Sequence, residues 1–120
     1  MKGIETSLDN FTRDVLDASE THPVLVDFWA EWCAPCLVLA PVLEKVLEEL
    51  KGHLRLAKLE VDEGENMKLA GHYRVRGFPT VILFSNRQEV ARFSGARSRT
   101  QVLEFINSHA DLTVSSRPAR

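Results

Sequence analysis

The 120-residue chain predicts an α/β fold built on a mixed central sheet, and three patterns carry that expectation. Dense apolar runs rich in β-branched residues alternate with segments of helical period, the signature of strands and helices packed in layers. The last two apolar runs, "PTVILFS" (79–85) and "EVARFS" (89–94), are separated only by "NRQ", so they pair as an antiparallel hairpin. A polar-capped amphipathic segment closes the order.

Taken along the chain, a strand or extended segment comes first. "SLDNFTRDVL" then spaces Leu8, Phe11 and Val15 three and four apart, predicting a short amphipathic helix from about Asp9. "PVLVDFWA" (23–30) has the continuous apolar character of a strand buried on both faces. From Pro35 to Lys51 the period is helical, with Leu39, Leu43, Val46, Leu47 and Leu50 on one stripe. Pro41 inside it removes a backbone donor, and Gly52 is the stop. "HLRLAKLEVD" (53–62) predicts a second interior strand and "GENMKLAGHY" (64–73) a short helix. Ser98 with Gln101 forms a capping box for a last helix that carries Val102, Leu103 and Ile106.

Bulk properties exclude several classes of function. Hydrophobic residues make up 44% and charged residues 27%, ordinary values for a globular protein with its own core. Fifteen basic against seventeen acidic side chains leave a net charge of −2, which argues against nucleic acid or a membrane surface as partner. "MKGIETSLDN" lacks the apolar core of a secretory signal, so the expected compartment is cytoplasmic. The expected state is a monomer. "DLTVSSRPAR" reads as a polar tail, giving a domain over 1–109 and a tail over 110–120.

Both cysteines lie in "DFWAEWCAPCLVLAP" (27–41). A structural zinc site needs four ligands, usually as two close pairs, whereas His22, His53, His72 and His109 stand singly and far apart. A permanent disulfide would close a very small loop and constrain the unfolded chain little. The dithiol reading has physical support. A strand ends near Ala30 and a helix begins near Pro35, so Cys33 falls at a helix N-terminus, where unpaired amides and the macrodipole stabilise a thiolate. Cys36 lies one turn inside, within reach of Cys33 but more shielded. The spacing therefore predicts Cys33 as the exposed nucleophile and Cys36 as the resolving thiol.

"FWAEWCAPC" followed by "LAPVLE", "RGFPT", a hairpin and "SGA" resembles the thioredoxin family in order over about residues 4–109. That resemblance implies the thioredoxin fold, with helices on both faces of the mixed sheet, and protein-disulfide reduction through a mixed disulfide. It implies no bound cofactor beyond the redox-active Cys33–Cys36 pair. Electrons would come indirectly from NADPH through thioredoxin reductase, and oxidised proteins would be the substrates.

Two charges interrupt the interior strands: Asp27 in "VLVDFW" and Lys58 in "LRLAKLEV". A buried lone charge costs several kcal/mol unless paired or neutralised. The pattern leaves open a buried ion pair, a strand-end residue or a carboxyl of raised pKa. The resemblance implies the last for Asp27, as general base and acid for Cys36, with Lys58 as its modulator. It also implies that Pro79 is cis and packs against the dithiol, and that the backbone before it pairs with an extended substrate. Trp32, Gly77, Phe78 and Gly95 match the family's recognition rim, and Ala34 and Pro35 border the same path. Trp29 is expected to pack beneath the dithiol.

The chain also departs from the family pattern. Ala34 replaces the usual glycine between the cysteines, Leu37 replaces a lysine and enlarges the apolar rim, and Arg87 stands where the hairpin often has glycine. Arg92, Arg97 and Arg99 surround Gly95, as a basic collar or as mere solvation. Ala34, Leu37 and the extra tail keep a rival function in view, a client-binding adaptor or holdase with little redox turnover.

Overall fold

The computed structural model describes residues 3–110. Five strands form one sheet in the order β1-β3-β2-β4-β5. They are β1 (Ile4–Glu5), β2 (Val24–Trp29), β3 (Arg55–Glu60), β4 (Thr80–Ser85) and β5 (Gln88–Ser94). β1 and β2 run parallel to β3, whereas β4 is antiparallel to β2 and β5 to β4, so the sheet is mixed. Among the described residues the α-helices are α1 (Ala34–Glu49), α2 (Met67–His72) and α3 (Arg99–His109), and a π-helix with a 3₁₀ turn lies between β1 and β2. The 110–120 tail lies, beyond Ala110, outside the described residues.

β2 is central, and its side chains alternate between two cores. Val24, Val26 and Phe28 join Phe11, Val15, Leu69 and Phe84 on one face. Leu25 joins Leu39, Leu43 and Leu47 of α1 and Val102, Phe105 and Ile106 of α3 on the other. The apolar stripe read from residues 39–50 is thus the face that α1 lays on the sheet. Leu43 is fully buried in that cluster. Leu43→Ala is expected to cost about 2–5 kcal/mol of stability, measured by denaturant unfolding with the slope unchanged.

The first helix differs from the expectation. Residues Thr12–Asp17 wind as a π-helix and Ala18–Glu20 tighten into a 3₁₀ turn. Phe11 and Val15 still share one buried face, because a spacing of four suits the wider winding as well as the α-helix. The 3₁₀ turn brings Ser19 beneath the β4–β5 hairpin. There the Ser19 carbonyl accepts from Asn86 N–H at 2.9 Å and its Oγ from Arg87 N–H at 2.8 Å. Asn86 and Arg87 both have positive φ, 52° and 70°, so the loop is the two-residue primed type despite the absence of glycine. An ion pair of Arg87 with Asp17 holds the same turn.

α1 runs through Pro41 and ends at Glu49, with Lys51 and Gly52 left-handed beyond it. At α3 both halves of the capping box form. Ser98 Oγ accepts from Gln101 N–H, and Ser98 N–H donates to Gln101 Oε1.

Candidate active site

The site stands where β2 gives way to α1. Cys33 is the N-cap of α1, in extended conformation, and Pro35 occupies the first turn, where its missing N–H costs nothing. Cys33 Sγ accepts a hydrogen bond from Cys36 N–H at 3.2 Å, so an unpaired amide of the helix start is aimed at sulfur. Cys33 and Cys36 are joined as a disulfide, their Cα atoms 5.3 Å apart. The expectation of an exposed Cys33 needs correction. It retains only 5% of its surface against 1% for Cys36, because both side chains pack into the cluster that contains Phe28 and Ala30. The asymmetry survives: Cys33 is the more accessible sulfur-bearing residue.

Around the pair lies an apolar rim. Trp32 is 67% exposed, stacks edge-on against Phe78 at 5.9 Å and donates its indole N–H to Asp62 Oδ2 at 2.6 Å. Leu37 and Val38, 54% and 62% exposed, extend this surface along α1. Ala34 and Pro35 are exposed between the cysteines. Trp29 is half-buried and packs against the cluster that holds both cysteines, as expected of it. The Phe78–Pro79 peptide bond is cis, in agreement with the resemblance. The Pro79 carbonyl accepts from Gly95 N–H at 2.9 Å, and Thr80 Oγ1 donates to the Gly77 carbonyl at 2.7 Å. Gly77, Phe78, Pro79 and Gly95 are thereby tied into one loop pair, with Gly95 at φ 85°, a conformation that favours glycine.

Asp27 lies in mid-β2, 1% exposed, and its Oδ1 has no hydrogen-bond partner. Burial pushes its carboxyl up to about 7, against an opposing pull from the Lys58 charge. Lys58 is the register partner of Asp27 on β3, so the two side chains leave the same face of the sheet. The Lys58 ammonium, however, forms its ion pair with Glu44 of α1, at 3.2 Å.

The arginine collar is engaged internally. Arg92 bonds Glu89 and the Tyr73 carbonyl, Arg97 lies 4.6 Å over the Phe93 ring, and Arg99 pairs with Glu49. The solvation reading therefore suits these residues better than a free basic patch. Glu44, Asp62 and Val38 escaped the sequence reading. Only Val38, adjacent to Leu37 and off the buried stripe, carried a local signal.

The family model for thioredoxin matches residues 2–108. The chain belongs to the thioredoxin family. The thioredoxin of Acidithiobacillus ferridurans is 45% identical over 100 residues, covering 83% of this chain and 89% of that protein. The thioredoxin of Pseudomonas aeruginosa is 43% identical, also over 100 residues and with the same shares covered. A bifunctional thioredoxin reductase/thioredoxin of Mycobacterium leprae is 44% identical over 104 residues, 87% of this chain but 22% of that protein. Family membership and the paired cysteines make the chain a thiol–disulfide oxidoreductase that reduces protein disulfides, and the adaptor reading is not favoured. No bound cofactor is required for that chemistry. No helix among the described residues is long and apolar enough to cross a membrane.

Proposed function

We propose that Cys33 is the attacking thiolate and Cys36 the resolving thiol of a cytoplasmic, monomeric disulfide reductase fed by thioredoxin reductase and NADPH. The observation that supports this reading is the asymmetric cysteine pair at the start of α1, with a buried carboxyl on β2, that of Asp27, whose Oδ1 has no hydrogen-bond partner. The Cys33 thiolate attacks one sulfur of a substrate disulfide; a mixed disulfide forms and the other substrate sulfur leaves as thiolate. Cys36 then gives its proton to Asp27 and attacks Cys33 Sγ. The intramolecular disulfide forms, the second substrate sulfur leaves, and two electrons have passed to the substrate. Lys58 modulates Asp27 through its charge.

Recognition is assigned to the rim. An extended substrate strand pairs with backbone at Gly77 and Phe78 beside Pro79, which accommodates many sequences because main-chain bonds supply the affinity. Trp32, Ala34, Pro35 and Gly95 border its path, and Leu37 with Val38 widens the apolar contact. The relative in which thioredoxin reductase and thioredoxin share one chain supports the reductase as electron donor.

The test is insulin reduction coupled to NADPH oxidation by a bacterial thioredoxin reductase. The expected result is sustained turnover, one NADPH consumed per disulfide cleaved. Absence of turnover by protein that titrates two free thiols after chemical reduction would overturn the reading.

A further inference from the structure

We propose that Glu44 is a positioning residue for the Asp27 proton relay, holding the Lys58 ammonium away from the buried carboxyl. This rests on the reading of Asp27 given above. Neighbouring strands are about 4.8 Å apart, so register partners on one face stand side by side, and a lysine beside a buried carboxylate is an obvious ion pair. It is not the pair that forms. Lys58 Nζ lies 3.2 Å from Glu44 Oε2, while Asp27 Oδ1 has no partner.

Glu44 is well placed to win this competition. It stands eight residues after Cys36 on α1, roughly 12 Å along the helix axis, above the sheet face that carries Asp27 and Lys58. Its second oxygen, Oε1, accepts from Gly3 N–H at 3.1 Å, so the carboxylate is held at both ends. Gly3 makes that approach by lacking a side chain: a Cβ there would lie 2.8 Å from Leu56 Cγ. Both carboxyl and ammonium are half-buried, so neither is simply a solvated surface charge.

The charged and titratable groups around Asp27 are few. β3 supplies Lys58, and β1 supplies Glu5, exposed and in register with Lys58. α1 supplies Glu44 and the Cys36 thiol of the reduced state. β4 places Val81 opposite Asp27, and α3 packs through Val102, Phe105 and Ile106, none of them charged. Releasing Lys58 toward Asp27 and removing the Glu44 charge act in the same direction, because each favours the ionised form of Asp27.

The experiment is a titration of the Asp27 side-chain carbon by NMR in the whole protein, alongside the pH profile of kcat/KM for a protein disulfide. Glu44→Gln keeps an acceptor for Gly3 and is expected to lower the Asp27 midpoint by about one pH unit. Glu44→Asp should restore most of the wild-type midpoint. In a Lys58→Met background, where the ammonium is gone, most of the Glu44→Gln shift should vanish. An unchanged or raised midpoint in Glu44→Gln overturns the proposal, as does a full shift that persists without Lys58. A midpoint that falls by NMR while the kcat/KM profile stays still supports the positioning role and sinks instead the relay role of Asp27.

Discussion

Cys33→Ser is expected to abolish turnover, and Cys36→Ser to stop it one step later with substrate attached. A serine hydroxyl does not ionise near neutral pH and forms no disulfide, so the first variant loses both the nucleophile and the covalent intermediate. The loss should reach the detection limit of the coupled assay, at least about 10³-fold. Cys36→Ser retains the Cys33 thiolate at the N-cap of α1, where the adjacent amide still points at sulfur. It attacks once, and nothing then resolves the mixed disulfide. Mass spectrometry after mixing with an oxidised protein should find a one-to-one adduct on Cys33 that dithiothreitol releases. The geometry favours this order because Cys36 is sealed into the core and Cys33 keeps the accessible edge. Adducts captured by Cys33→Ser and not by Cys36→Ser would reverse the two roles.

How much of this was legible beforehand depended on how local each determinant was. β2 and β4 announced themselves through "VLVDFW" and "TVILFS", since strands buried on both faces need unbroken apolar runs. The dithiol was legible because its chemistry requires a strand end, two cysteines and a proline within a few residues. The π-winding at Thr12–Asp17 was not, since three apolar positions spaced three and four apart fit either winding. The arginines near Gly95 read equally as a basic collar or as solvated charges, because Tyr73 and Glu49, which engage Arg92 and Arg99, come from distant parts of the chain. Glu44 is the plainest case. On the helix it is one more polar residue beside the apolar stripe, and its importance comes from a lysine fourteen positions later that only the sheet brings over it.

The second large effect concerns Asp27→Ala, which should slow exchange and strengthen the fold, each with its own pH dependence. Even a freely solvated thiol is only about 3% ionised at pH 7, so a base that takes up the thiol proton is worth roughly 30-fold for such a group. The variant should therefore lose at least roughly ten-fold in rate at pH 7, and the deficit should shrink as pH rises and the thiol ionises unaided. The stability change follows from the carboxyl pushed up to about 7 from an ordinary value of 3.8. Between those values the folded protein keeps a proton that the unfolded chain has lost, so wild-type stability falls as pH rises through the window. Below it the group contributes nothing, and above it the full penalty applies, up to about 4 kcal/mol. The cavity left by alanine costs the same at every pH, so the difference between unfolding free energies at pH 4 and pH 8.5 isolates the charge. Asp27→Ala should gain on wild type between those two points. An equal gap at both would mean that Asp27 carries no raised pKa. An undiminished exchange rate at pH 7 would remove it from the mechanism whatever its pKa.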